Sequence, residues 1–147
     1  MDLPRLLQGG VHRDHRGLVR HVNPFKLKAA DRFYVISPAR AHELRGWVGH
    51  RRDWKWFFAS SGEFSIYVAR VDDLAEGRRV TPQSYGLEAG QARLLEVPPG
   101  YATAIRALEV PADLLVFSTG EIESAAADML RFPLDAAPIE DEARDCR

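Results

Sequence analysis

The stretch "EFSIYVARV", residues 63–71, decides the fold. Period two puts Phe64, Ile66 and Val68 on one face and Ser65, Tyr67 and Ala69 on the other. Neither face is strongly charged, so this strand is expected to be covered on both sides. Just before it stands "WKWFFA", residues 54–59. There Trp54, Trp56 and Phe58 point one way, and Lys55 and Phe57 the other. A lysine beside a phenylalanine on one face suggests a cavity with apolar walls and a few charges, the usual build of a small-molecule site.

Outward from this pair, short β-rich runs recur: "LVRHV" (18–22), "RFYVI" (32–36), "ELRGWV" (43–48), "ARLLEV" (92–97), "ATAIRAL" (102–108) and "DLLVFST" (113–119). Turn signals separate them, among them "NP" at 23–24, "SSGE" at 60–63, "VDDLAEG" at 71–77 and "PPG" at 98–100. Many short strands with frequent turns predict an all-β sandwich or barrel. One helix is expected, in "TGEIESAAADML" (119–130), with acidic residues early and alanines in the middle. A length of 147 residues sets one domain. We expect it to span 1–135, followed by a flexible acidic, proline-broken tail, 136–147.

A net charge of −1 argues against binding a nucleic acid polymer, which needs a basic excess to displace counterions. The only cysteine is Cys146, so no intrachain disulfide can form. No run approaches the ~20 apolar residues that span a bilayer. The opening "MDLPRLLQGG" lacks the pattern of a signal peptide. The expectation is a cytoplasmic protein without a membrane partner.

The chemistry gathers in "LRGWVGHRRDWKWF", residues 44–57. In plain extended geometry Val48 and His50 share one face, and Arg45 and Trp47 the other. Gly46 and Gly49 allow a bulge that brings Arg45 round to the His50 side. Arg45 then offers a planar fork for phosphate or carboxylate, Lys55 a point charge, and His50 a group that titrates near neutrality. The plainer alternatives are an ion pair of Arg45 with Glu43 or Asp53, a snorkelled Lys55 and a strand-end His50 bonded to backbone. A metal site wants two or three histidines with a carboxylate on converging strands. "WVGHRRDW" offers one histidine and no glutamate, so no metal and no cofactor are expected.

Several segments, in order, resemble the cupin-fold sugar-nucleotide enzymes: the dTDP-4-dehydrorhamnose 3,5-epimerases and the dTDP-sugar 3,4-ketoisomerases. "GGVHRDHRGLVRHVNPF" (9–25) resembles their opening, with its Asp-x-Arg-Gly turn. "LRGWVGHRRDWKWF" is similar to the segment reading Arg-Gly-x-His-x-His-Lys in ketoisomerases and Arg-Gly-x-His in epimerases. "SGEFSIYVARVDD" (61–73), "VPPGYATAIRALEVPADLLVFST" (97–119) and the closing "DMLRFP" (128–133) follow in family order. The resemblance implies a cupin double-stranded β-helix, a jelly-roll barrel, with one short C-terminal helix. It implies a homodimer and a nucleotide-sugar ligand. It implies proton abstraction alpha to the carbonyl of a nucleotide-linked 4-keto-6-deoxyhexose.

On that resemblance the catalytic candidates are His50, Tyr34 and Lys55. The substrate-binding candidates are Arg45, Arg32, Trp47, Tyr101, Thr103 and Arg106. Arg131 is assigned a structural role. Three departures matter. The epimerases' acid tyrosine has no counterpart in "LLVFSTGEIESA" (114–125), which leaves Tyr34 as the phenol near the site. The family's first catalytic histidine falls at Val48, and the later histidine falls at Thr103. A non-catalytic sugar-nucleotide binder is therefore the competing expectation.

Overall fold

The computed structural model describes residues 2–139. Its elements are β1 (Arg5–Gln8), β2 (Gly10–Asp14), β3 (Gly17–His21), β4 (Arg32–Ile36), β5 (Leu44–His50), β6 (Lys55–Ser61) and β7 (Glu63–Arg70). Then come α1 (Val71–Ala75), β8 (Gln83–Glu88), β9 (Arg93–Val97), β10 (Tyr101–Ala107), β11 (Asp113–Ser118), α2 (Ile122–Asp128) and β12 (Met129–Arg131). Two five-stranded sheets, β1-β9-β6-β11-β4 and β12-β5-β10-β7-β8, pack face to face as a jelly roll. The hairpin β2–β3 stands beside them as a third, two-stranded sheet. The all-β expectation is met. Helix α2 falls inside the predicted run, whereas α1 forms where "VDDLAEG" suggested only a turn.

Alternation explains the layers. Phe64, Ile66 and Val68 of β7 enter the core between the sheets with Phe57, Leu95, Leu114 and Val116. Tyr67 and Ala69, on the other face of β7, join Trp47, Ala102 and Ala104 in a second cluster. Both faces are buried, as the sequence predicts. That second cluster is capped by Val71 and Leu74 of α1 and by Leu130, Phe132, Ala136, Ala137 and Ile139. The first residues of the expected tail thus lie against the sheet, with Ala137 only 1% exposed. The rest of that tail, with Cys146, lies outside the described residues. A third cluster covers the outer face of the other sheet, where Trp56, Leu7 and Leu94 pack with Phe25, Trp54 and Phe117.

The bulge expected near Gly46 is present. Along β10 the partners pass from Thr103↔Val48 to Ile105↔Arg45, so β5 spends three residues where β10 spends two. The extra residue resets the alternation and turns Arg45 to the side of Val48 and His50. Trp47 is left on the opposite face, 1% exposed. Among the described residues no helix is long and apolar enough to cross a membrane.

Candidate functional site

A cavity of about 840 Å³ opens at one end of the barrel. It is lined by Arg32, Tyr34 and Ile36 from β4, Arg45, Val48 and His50 from β5, Lys55 and Phe57 from β6, and Thr103 and Ile105 from β10. Ala125 and Ala126 of α2 close one side, with Met129 and Arg131 of β12. Four permanent or near-permanent cations therefore face one space: Arg32, Arg45, Lys55 and Arg131. No carboxylate lines it. Arg45 forms no ion pair among the described residues, so the expected alternatives of Glu43 and Asp53 do not apply; Glu43 instead faces Arg40 at 3.8 Å. Low-dielectric walls with charges of one sign concentrate an anionic ligand.

The polar groups of the site are held from behind. Lys55 is 5% exposed and its Nζ donates to Ser118 Oγ at 2.9 Å. The same ammonium lies 5.5 Å from the centre of the Tyr34 ring, and the Arg32 guanidinium lies 5.3 Å from it. Such cation–ring contacts hold Tyr34 between two charges. Burial, and then the nearby Arg32, lower the Lys55 ammonium from 10.5 to about 8. Burial raises the Tyr34 phenol, against the opposing pull of Arg32 and Arg45.

His50 ends β5 with 8% exposure. Burial, reinforced by the Lys55 charge, lowers its pKa from 6.5 to about 4, and Asp128 offsets only part of this. The imidazole is therefore neutral near pH 7 and can accept a proton. Its Nδ1 lies 3.8 Å from Asp128 Oδ2. Asp128 ends α2 and is itself 5% exposed. Its carboxylate accepts the backbone N–H groups of Arg51 (3.0 Å), Arg52 (3.2 Å) and Asp53 (3.0 Å). A tight turn between β5 and β6 thus wraps one buried anion, and that anion fixes the turn behind His50.

A pH dependence of stability follows. The unfolded chain protonates His50 near 6.5, and the folded chain only near 4, so the unfolded state binds more protons between these values. Stability from this group is full above pH 6.5 and is lost progressively down to pH 4, by ~3 kcal/mol in all. Asp53 acts in the opposite sense, because burial and Asp128 raise its pKa. Urea unfolding of wild type and His50→Gln across pH 4–7, in metal-free buffer, isolates the histidine. The difference between the two proteins is expected to change by this amount, and a constant difference would refute the buried neutral imidazole.

Six of the nine site residues named from the sequence meet at this cavity: His50, Tyr34, Lys55, Arg45, Arg32 and Thr103. Three do not. Trp47 faces away from the cavity, on the side that plain alternation gives it, and packs under the segment after β12. Tyr101 is packed in the core between the sheets, outside the cavity lining. Arg106 lies 7% exposed on the outer face, donating to the His42 carbonyl at 3.1 Å and stacking on Tyr67 at 5.8 Å. Arg131, expected to be structural, lines the cavity, and Asp128 was not singled out at all. Only the closing segment "DMLRFP" carried a sequence signal for these two.

No family model and no curated protein matches the chain. Solved structures do. One is a 3,4-ketoisomerase from Thermoanaerobacterium thermosaccharolyticum, a point mutant in complex with TDP-4-keto-6-deoxyglucose. It has a TM-score of 0.70 and 16% identity, over 89% of this chain and 88% of that one. Another is a dTDP-4-dehydrorhamnose 3,5-epimerase from Bacillus anthracis with TDP and PPi bound: TM-score 0.70, 18% identity, 87% of this chain and 77% of that one. A third is a dTDP-4-dehydrorhamnose 3,5-epimerase from Elizabethkingia anophelis: TM-score 0.74, 13% identity, 95% of this chain and 81% of that one. At these identities the likeness is one of fold. The two kinds of enzyme are those whose motifs the sequence resembles.

Proposed function

We propose that this protein is a sugar-nucleotide epimerase or ketoisomerase that removes a proton alpha to the carbonyl of a nucleotide-linked 4-keto-6-deoxyhexose. The observation that carries this is one cavity in which a neutral, buried imidazole faces four cations and no carboxylate. Such a reaction needs a base at the carbon acid and positive charge at the oxygen that becomes an enolate. His50 is the base. Lys55, anchored on Ser118, stabilises the developing oxyanion. Tyr34 returns a proton to the opposite side. Arg32, Arg45 and Arg131 hold the diphosphate, whose charge also raises the weak His50 base toward neutrality. The protein acts in the cytoplasm, and no metal or cofactor enters the step.

The cavity also supports a second reading. Val48 and Thr103, the two positions where the family pattern has histidine, face each other across β5 and β10. A valine cannot move a proton, so a non-catalytic binder of the same ligands is the alternative. One experiment separates the two. Incubation with dTDP-4-keto-6-deoxyglucose in D₂O, followed by NMR, is expected to show deuterium entering carbon 3 of the sugar. Exchange no faster than in buffer, with dTDP binding retained in calorimetry, leaves the binder.

The working unit is a homodimer. Edge strand β4 carries Phe33 at 65% and Val35 at 48% exposure, and β3 carries Val19 at 61%. An open apolar edge of this kind is normally covered. Light scattering of a micromolar solution that gives only 16.5 kDa would remove the dimer.

A further inference from the structure

Beside the cavity, three buried ligand-bearing side chains converge: His50, Asp53 and Asp128. One donor atom from each lies within 4.8 Å of the others. Two of these residues carry orphaned atoms. His50 Nδ1 and Asp53 Oδ2 are buried and have no hydrogen-bond partner among the described residues. Both residues are 8% exposed. Asp53 Oδ1 is penned in as well: a Cβ on Gly120 would stand 2.8 Å from it. The 3.8 Å between His50 Nδ1 and Asp128 Oδ2 is too long for a hydrogen bond. It suits two ligands spanning one ion with bonds of about 2.0–2.2 Å.

We propose that His50 Nδ1, Asp53 and Asp128 form a binding site for a divalent transition-metal ion of the zinc class. The donor set selects the ion. One neutral imidazole with two carboxylates suits zinc, cobalt or nickel, whereas an all-oxygen shell would suit magnesium or calcium. Two carboxylates match the charge of a divalent ion. Lys55, Arg32 and Arg52 oppose it, but the Lys55 ammonium is drawn aside to Ser118 and the Arg52 side chain is mostly exposed. The amide cradle around Asp128 orients that carboxylate as outer-shell groups orient metal ligands. Burial and Asp128 both disfavour the charged form of the Asp53 carboxyl, a cost that a bound divalent ion offsets.

The ligands come from the end of β5, the following turn and the end of α2, not from converging strands. That is why the histidine count in "WVGHRRDW" does not reveal them. The ion also has a consequence for the imidazole. With Nδ1 on a metal, Nε2 keeps its hydrogen and faces the cavity as a donor, so the loaded site presents no base. Metal uptake is read without any sugar and is independent of the sugar chemistry.

The test is zinc and cobalt(II) binding to the full chain, wild type against Asp53→Asn and His50→Gln. Exposed His12, His15 and His21 on the β2–β3 hairpin are replaced by glutamine in every protein to remove a competing surface site. Equilibrium dialysis with elemental analysis is expected to give about one zinc per wild-type chain, with affinity at least tenfold weaker in each variant. Cobalt(II) is expected to give a visible absorption band, and zinc a rise in melting temperature, in the wild type alone. A cooperative melt of the isosteric Asp53→Asn protein without zinc shows that the variant is folded. Uptake below about a tenth of an equivalent overturns the proposal and leaves a buried water between the three groups. Equal affinity in wild type and both variants overturns it too.

Discussion

His50→Gln is expected to lower deuterium exchange into the keto sugar by about 10³-fold while leaving dTDP affinity within a few-fold of wild type. A positioned general base contributes on the order of 10²–10⁴. No second neutral base lines the cavity at pH 7: Tyr34 is protonated, its phenol pushed above 10, and no carboxylate is present. Lys55 is the one group that could substitute, because its pKa of about 8 leaves a neutral fraction above that pH. The pH profile therefore discriminates. Residual exchange in His50→Gln that climbs through pH 8 would transfer the role of base to Lys55. Undiminished exchange at every pH would remove both the histidine and the mechanism. Affinity for dTDP is expected to be spared because the proposed diphosphate partners are Arg32, Arg45 and Arg131, not the imidazole.

The second large effect is on the fold itself. Asp128→Ala is expected to cost about 4 kcal/mol in denaturant unfolding at pH 7. The carboxylate is the acceptor for three successive amides, those of Arg51, Arg52 and Asp53. Each buried amide left without an acceptor costs ~1–3 kcal/mol. Asp128→Asn retains one carbonyl oxygen and should lose roughly half as much, since its NH₂ group meets donors. A loss under about 1 kcal/mol for the alanine variant would mean that water replaces the carboxylate and that the turn does not depend on it. The loss of stability from His50 below pH 6.5 should grow in both variants, because the Asp128 charge that offsets part of its lowered pKa is gone.

Much of this was legible from local pattern. Alternation in "EFSIYVARV" gave a strand buried on both faces, and the pairing of Lys55 with Phe57 marked the cavity wall. The glycines at 46 and 49 were enough to suggest that Arg45 turns inward. Pattern failed where parity or distance governs. Arg45 lies beyond the bulge, so a simple two-residue period assigns its side wrongly, whereas Trp47 falls on the side that alternation gives it. The burial of Trp47 depends on Leu130 and Phe132 and on residues 136–139, the last of which composition presents as the start of a tail. Asp128 and Arg131 act on groups some 77 residues earlier, through the β12–β5 pairing and the amide cradle. No local signal specifies such a contact. Strands β1 and β8 were missed because "RLLQ" and "QSYGLE" are short and polar enough to resemble connections.

The Val48–Thr103 pair has an engineering consequence. The two side chains are neighbours across one ladder, on a wall that also carries Arg45 and His50. Two single-residue changes therefore separate this protein from a barrel with facing imidazoles. Restoring one or both imidazoles would add proton-transfer groups to the wall that already holds His50, without disturbing the architecture.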